Sequence, residues 1–256
     1  MSNLKKCVVL VSNSNYLSRV LDTIQQIRIK GCYKDDIVII RGSDWDEKTN
    51  SIFLNYCKTD NYPIFVKYYP EIDTKNILDV WKENPYETPF KCRVDKLFQL
   101  QKFYLFDTYF KKWEVILYID GGFKVHRDIN DVWHLQYKDH LIANDESQKN
   151  PHWKLHLQFH IDPKNKYCNS LLSDFNLDTK YFQTGFLLFD TNIINEKTVD
   201  ELIKLMNKYP TAKTNDQAIM NLYFFKLRNI WKPLPEDKIY EYFYNPSLNL
   251  IFSKGS

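Results

Sequence analysis

One carboxylate in this chain stands at the end of an unbroken apolar run. Val115-Ile116-Leu117-Tyr118-Ile119 leads straight into Asp120, and Gly121 and Gly122 follow. A run of this length, rich in β-branched residues, reads as a strand buried on both faces. Ligands of open α/β sheets bind just beyond the carboxyl ends of strands. Asp120 is therefore placed where the charge or the hydroxyls of a ligand would be met, and the glycines leave room beside the backbone. A strand closed by an ordinary Asp-Gly turn would read the same way.

Other side chains capable of chemistry occupy comparable places. Asn13 and Asn15 follow the apolar run 7–11, and each offers a donor and an acceptor, as a polar turn would in any case. Gln183 and Thr184 open the apolar stretch 181–190, where they could also be polar residues of a sheet edge. Asp216 and Gln217 sit at the start of a helical stretch, where an acidic residue also suits the helix dipole. Arg93, Lys96 and Lys102 could reach an anion or simply form a solvated helix face. All six histidines fall between 126 and 160, and His152, His156 and His160 would share one face of a helix and could bind a metal there. Pro151 argues against a long helix at that point, and no H-E-x-x-H occurs.

The elements that must position these residues alternate. Strands are expected at 7–11, 36–40 and 63–69, with helices from Leu17 to the stop at Gly31 and over about 47–58. This β-α-β-α-β order predicts a mostly parallel sheet with helices on both faces. Residues 70–91 read as an irregular connection, 92–110 as a long helix, and 141–145 as a further strand. Residues 146–180 read as loop, 181–190 as strand, and 195–209 and 214–225 as helices. No linker or internal repeat appears, so one domain over 1–256 is expected. It would have two halves, about 1–122 and about 123–256.

Composition narrows the class. The 256 residues carry 35 basic and 32 acidic side chains, a net charge of +3, which argues against a nucleic-acid platform. Hydrophobic residues make up 44%, enough for a packed core. Five widely spaced cysteines without a C-x-x-C read as free thiols of a reducing compartment. No run suits a signal peptide or a membrane span, so a soluble, cytoplasmic protein is expected.

Four segments, in order, carry a resemblance. ILYIDGGFKVHRDINDVW resembles the D-x-D region of the GT-A glycosyltransferases, family 8 in particular. SNSNYLS looks like that family's nucleotide-binding turn, YFQTGFLLFD like its F-N-S-G-V strand, and NDQAIMNLYF like its D-Q-x-x-x-N helix. The stretch 231–245 is similar to its W-x-x-L-P-x-x-x-N segment. The resemblance implies a GT-A fold and transfer, with retention, of a sugar from a nucleotide donor, a UDP-sugar first of all. The acceptor would be a glycan, a protein or a small molecule.

It also implies roles. Asp120 would anchor the donor diphosphate, Asn13 and Asn15 would contact base or ribose, and Arg93 and Lys96 would reach the phosphates. The first half, about 1–122, would bind the nucleotide and the second, about 123–256, the acceptor and sugar, with Gln183 and Thr184 among the donor-binding residues on the strand beside the acceptor site. Asp216 would grip its hydroxyls, and the amide oxygen of Gln217 would face the anomeric carbon. The family holds a divalent ion, Mn2+ or Mg2+, with two aspartates and a histidine. Here Gly122 stands at the second aspartate and Phe252 at the histidine. An ion held by Asp120 alone would bind weakly and be recruited with the nucleotide. Lys124, Arg127 or Lys254 would then share the leaving-group charge, leaving metal independence open. The missing ligands also admit a sugar-nucleotide or glycan binder without turnover. An inverting transferase would need a base, for which Asp145 or Glu146 could serve.

Overall fold

The computed structural model describes residues 4–83, 94–235, 239–241 and 249–254. Three parallel strands open the fold: β1 (Lys6–Ser12), β2 (Asp36–Arg41) and β3 (Ile64–Tyr68), joined by α1 (Leu17–Ile29) and α2 (Glu47–Cys57). The apolar spacing of α1 buries Leu17, Val20, Leu21, Ile24 and Ile27 on the sheet, and Asp46 caps α2 by accepting the Thr49 amide at 2.7 Å. α3 (Lys75–Glu83) precedes β4 (Val115–Ile119), β5 (Phe123–Val125) and β6 (Leu141–Asp145). The chain continues through α4 (Glu146–Lys149), α5 (Lys166–Asp174), β7 (Phe182–Asp190), α6 (Thr198–Lys208) and α7 (Gln217–Met220). Short strands β8 (Trp231–Pro233), β9 (Tyr240–Glu241) and β10 (Phe252–Lys254) complete it.

The main sheet has seven strands in the order β3-β2-β1-β4-β7-β6-β8. β7 runs antiparallel to both β4 and β6, and every other pairing is parallel. The chain is thus a single α/β domain with a mostly parallel central sheet. A smaller sheet, β5-β10-β9, was not foreseen, because strands of two or three residues leave no periodic signal.

Alternation along the central strands sends side chains into two cores. Cys7, Val9, Ile116 and Tyr118 face one; Val8, Leu10, Leu117 and Ile119 face the other. Asp120 continues the parity of Ile116 and Tyr118. It therefore points to the face covered by the segment Leu97–Phe106.

Several expected elements differ. Residues 70–91 are not wholly irregular, since α3 buries Ile77, Val80 and Trp81, and Trp81 donates to the Ala212 carbonyl at 3.0 Å. The described part of the expected long helix over 92–110, from residue 94 on, holds a pair of 3₁₀ segments, Leu97–Phe106 and Thr108–Lys112, split where extended Asp107 caps the Tyr109 amide. The first is buried through seven consecutive residues, Leu100 to Phe106, so it has no solvent face to give a helical period. The expected loop 146–180 contains α5. The expected helix 214–225 begins as the short α7 and widens into a π-helix over Asn221–Leu227. Wide turns of this kind recur at functional sites.

Candidate active site

Because β7 runs against β4 and β6, its first residues lie at the edge where those two strands end. Ile119 pairs with Phe186, and the Asp120 amide donates to the Gly185 carbonyl at 2.9 Å. Gln183 and Thr184 thus stand beside Asp120, and Asp145, at the end of β6, pairs with Phe182.

α7 is clamped to this edge by Asn221. Its fully buried amide accepts the Phe182 N–H and donates to the Phe182 carbonyl, both at 2.8 Å, imitating a strand partner. It also donates to the Gln217 carbonyl at 2.9 Å. Asn221→Ala would leave both backbone groups of Phe182 without this partner, a loss of about 2–6 kcal/mol at ~1–3 kcal/mol each. Urea unfolding measures this, and a loss below about 1 kcal/mol would show that the clamp holds little.

Asp216 and Asp120 meet on one cation. The Lys102 ammonium, only 3% exposed, lies 2.9 Å from Asp120 Oδ1 and 3.2 Å from Asp216 Oδ2. Burial works against its charge, but the two carboxylates more than offset that and hold its pKa above the ordinary lysine value. The Tyr118 hydroxyl donates to the same Asp120 oxygen at 2.6 Å, and burial followed by the Asp120 charge pushes that phenol well up. Burial also pushes the Asp216 carboxyl up, against the pull of Lys102 and of the Thr184 hydroxyl. The buried Asp216 Oδ2 meets the Lys102 ammonium as a close ion pair.

Gln217 is oriented at both ends. Its Oε1 accepts the Thr184 amide at 3.3 Å, and its Nε2 donates to Gln158 Oε1 at 3.0 Å. Gln183 Oε1 accepts the Tyr240 hydroxyl at 2.8 Å.

Two cavities meet at this group. One, of about 620 Å³, is lined by Gln183, Thr184, Asp216, Gln217, Glu146 and Trp153 among others. The second, of about 460 Å³, lies over the ends of β1 and β4, against Tyr16, Arg19, Asp22, Gly121, Gly122 and Lys124. Lys96, Gln99, Lys102, Asp120 and Lys254 line both. Each volume lies in the range of small-ligand sites.

The structure therefore brings Asp120, Asp216, Gln217, Gln183, Thr184 and Lys96 together. Asn13 and Asn15 line neither cavity. Asn13 Oδ1 accepts the Tyr16 amide at 2.9 Å, and Asn15 is exposed. Arg93 lies outside the described residues. Arg127 is turned to Asp131, at 2.8 Å. Asp145 accepts the Ser147 amide at 2.9 Å, whereas Glu146 faces the larger cavity with its carboxyl pushed up by burial. The three histidines do not share a helix face, because Leu155–Gln158 is one 3₁₀ turn and Phe159 is extended. Among the described residues no three His, Cys, Asp or Glu side chains are grouped to hold a metal. Gln158 and the clamp of Asn221 were missed. The D-Q-x-x-x-N spacing carried a signal for Asn221, and nothing near Gln158 did.

The expected ion meets a poor site. Gly122 has no side chain and a φ of +93°, and Phe252 is buried among Phe123, Phe186 and Tyr240. The one carboxylate of the three expected ligands, Asp120, already has an ammonium and a phenol on Oδ1. These residues do not fit a resident divalent ion.

Solved structures share the fold. The chain superposes on LgtC, a galactosyltransferase with donor and acceptor sugar analogues, with a TM-score of 0.59 at 11% identity, covering 97% of this chain and 86% of that one. The bifunctional glycosyltransferase WbbM gives 0.57 at 18% identity over 94% of this chain, which spans 40% of WbbM. Core-mannan synthase A (CmsA/Ktr4) from Aspergillus fumigatus, in its Mn/GDP form, gives 0.55 at 8%, covering 91% and 73%. A sequence search of curated proteins finds no match. Among the described residues no helix is long and apolar enough to cross a membrane. The pattern of glycosyl transferase family 8 matches residues 7–247, nearly the whole chain around this site, and the protein belongs to that family.

Proposed function

We propose that this chain transfers a sugar from a nucleoside-diphosphate donor to an acceptor hydroxyl, with retention of configuration. The observation that carries the reading is the meeting of the two cavities at Asp120 and Lys102, with Asp216 on the far side of Lys102. The cavity over the ends of β1 and β4 takes the nucleotide and its phosphates, so the first half of the chain, to about residue 122, binds the donor. The larger cavity takes the sugar and acceptor. The bond from the anomeric carbon to the β-phosphate oxygen breaks, and the acceptor oxygen bonds to the same carbon. The acceptor proton leaves with the nucleoside diphosphate or to solvent.

Asp216 holds sugar hydroxyls, which can donate to its carboxylate. The Gln217 amide stabilises the positive charge that develops on the sugar. Calorimetry with UDP, GDP and dTDP tests the donor half of the reading, with UDP the first choice. At least one nucleoside diphosphate should bind far better than any free sugar, and no binding of any would remove the reading.

A second reading has one feature in its favour, since both groups that meet Asp120 Oδ1 belong to the chain itself. A sugar-nucleotide binder without turnover would look the same. Release of free nucleotide from a bound donor separates the two.

A further inference from the structure

The smaller cavity is basic without any ion. Arg19, Lys96, Lys102, Lys124 and Lys254 line it, against two carboxylates, Asp22 and Asp120. Lys124 and Asp22 pair at 3.7 Å on the open side, each about half exposed. Lys102 is the buried member, set 2.9 Å from Oδ1 of Asp120. Its reach does not depend on recruitment from solvent, because Asp120 and Asp216 hold it from two sides and the Tyr118 ring lies 5.3 Å from its Nζ. The other positions of an ion site are closed by chemistry: Gly122 offers nothing, and Phe252 is part of an aromatic wall.

We infer that the chain itself supplies the cations of this site: Lys102 occupies Asp120 in place of a divalent ion, Arg19 and Lys96 meet the donor diphosphate, and nucleotide binding and sugar transfer need no divalent ion. The inference rests on the donor reading given above. Side-chain cations meet phosphate oxygens through charge-assisted hydrogen bonds, and a partly enclosed cleft lined mainly by one sign of charge concentrates such an anion. The departing diphosphate then gains its counter-charge without a metal, and Lys102 stays in place throughout because its two carboxylates belong to the fold.

The test is titration of UDP, GDP and dTDP into the full chain, first with excess EDTA and then with excess manganese. At least one should bind in EDTA, and manganese should change its Kd by less than about threefold. Lys96→Gln and Arg19→Gln should each weaken that binding by roughly tenfold, the worth of one charged hydrogen bond, with melting temperatures unchanged. These two variants keep the test open even where a change at buried Lys102 unfolds the protein. Binding that appears only with manganese, or tightens by about tenfold or more with it, overturns the inference and leaves the donor reading standing. Equal affinity of both variants and the parent overturns it as well. If no nucleoside diphosphate binds under either condition, the inference falls together with the donor reading.

Discussion

Lys102→Met should lower stability by about 3–5 kcal/mol at neutral pH, the cost of removing one partner from a buried charge network. For a chain of this size that is a fall in melting temperature of roughly 10 °C. The methionine replaces most of the lysine stem, so the loss falls on the charge. What remains is Asp216, 3% exposed, with burial raising its carboxyl and the strongest opposing pull removed. The pH dependence separates this from lost packing. A carboxyl whose folded pKa lies above its unfolded one gains a proton in the folded state as pH falls through that folded value. Folded stability, relative to the unfolded chain, rises as it does so. The penalty of Lys102→Met should therefore be largest at neutral pH and shrink toward mild acid. Thermal melts of variant and parent across that range measure it, and a penalty constant with pH would assign the loss to packing.

The second large effect is expected at Gln217. Gln217→Ala should lower kcat by about 100-fold or more, the scale for removing one aligned dipole from a developing charge. Donor affinity should stay within about twofold, since an interaction made chiefly in the transition state leaves ground-state binding alone. The amide is held from both sides, by the Thr184 N–H at 3.3 Å and by Gln158 at 3.0 Å. Gln158→Ala should accordingly give a smaller loss of kcat, because its Oε1 holds the Gln217 amide and the Thr214 hydroxyl in place. Single-turnover rates and nucleotide titrations on the same preparations separate the two quantities. Parallel losses of rate and affinity would make Gln217 structural, and a product of inverted configuration by proton NMR would exclude its proposed role.

Much of the frame was legible because its strands are long and buried on both faces. β1, β2 and β4 appear in the sequence as continuous apolar runs, and Asp120 appears as the polar residue that ends one. The antiparallel place of β7 was not legible, since strand direction depends on partners that a single run does not name. Lys102 was read among helix-face lysines because its segment was taken for an amphipathic helix. In the fold, Gln101 and Lys102 are as buried as Leu100 and Phe103, and the two carboxylates that hold Lys102 come from β4 and α7. A buried lysine looks like a surface lysine until both partners are in place. The site residues drawn from motifs share that dependence. Asp216 and Gln217 are adjacent in sequence, yet one faces an ammonium and the other an amide across the cavity.

The left-handed backbone at Gly122 also bears on descent. Glycine and aspartate codons differ by a single base, so the change that would rebuild a second acidic ligand here is among the easiest for mutation to supply. Space does not forbid it, since a Cβ would meet only Arg19 Cδ at 3.8 Å. The φ of +93° does, at about 1–3 kcal/mol for a residue with a side chain. The Gly122 amide is also held by Thr23 of α1 at 2.9 Å, so the turn cannot relax without loosening that helix. A lineage with this turn would have to rebuild the backbone before the aspartate could be of use. A single base change at Gly122 would therefore not by itself supply a well-placed second carboxylate.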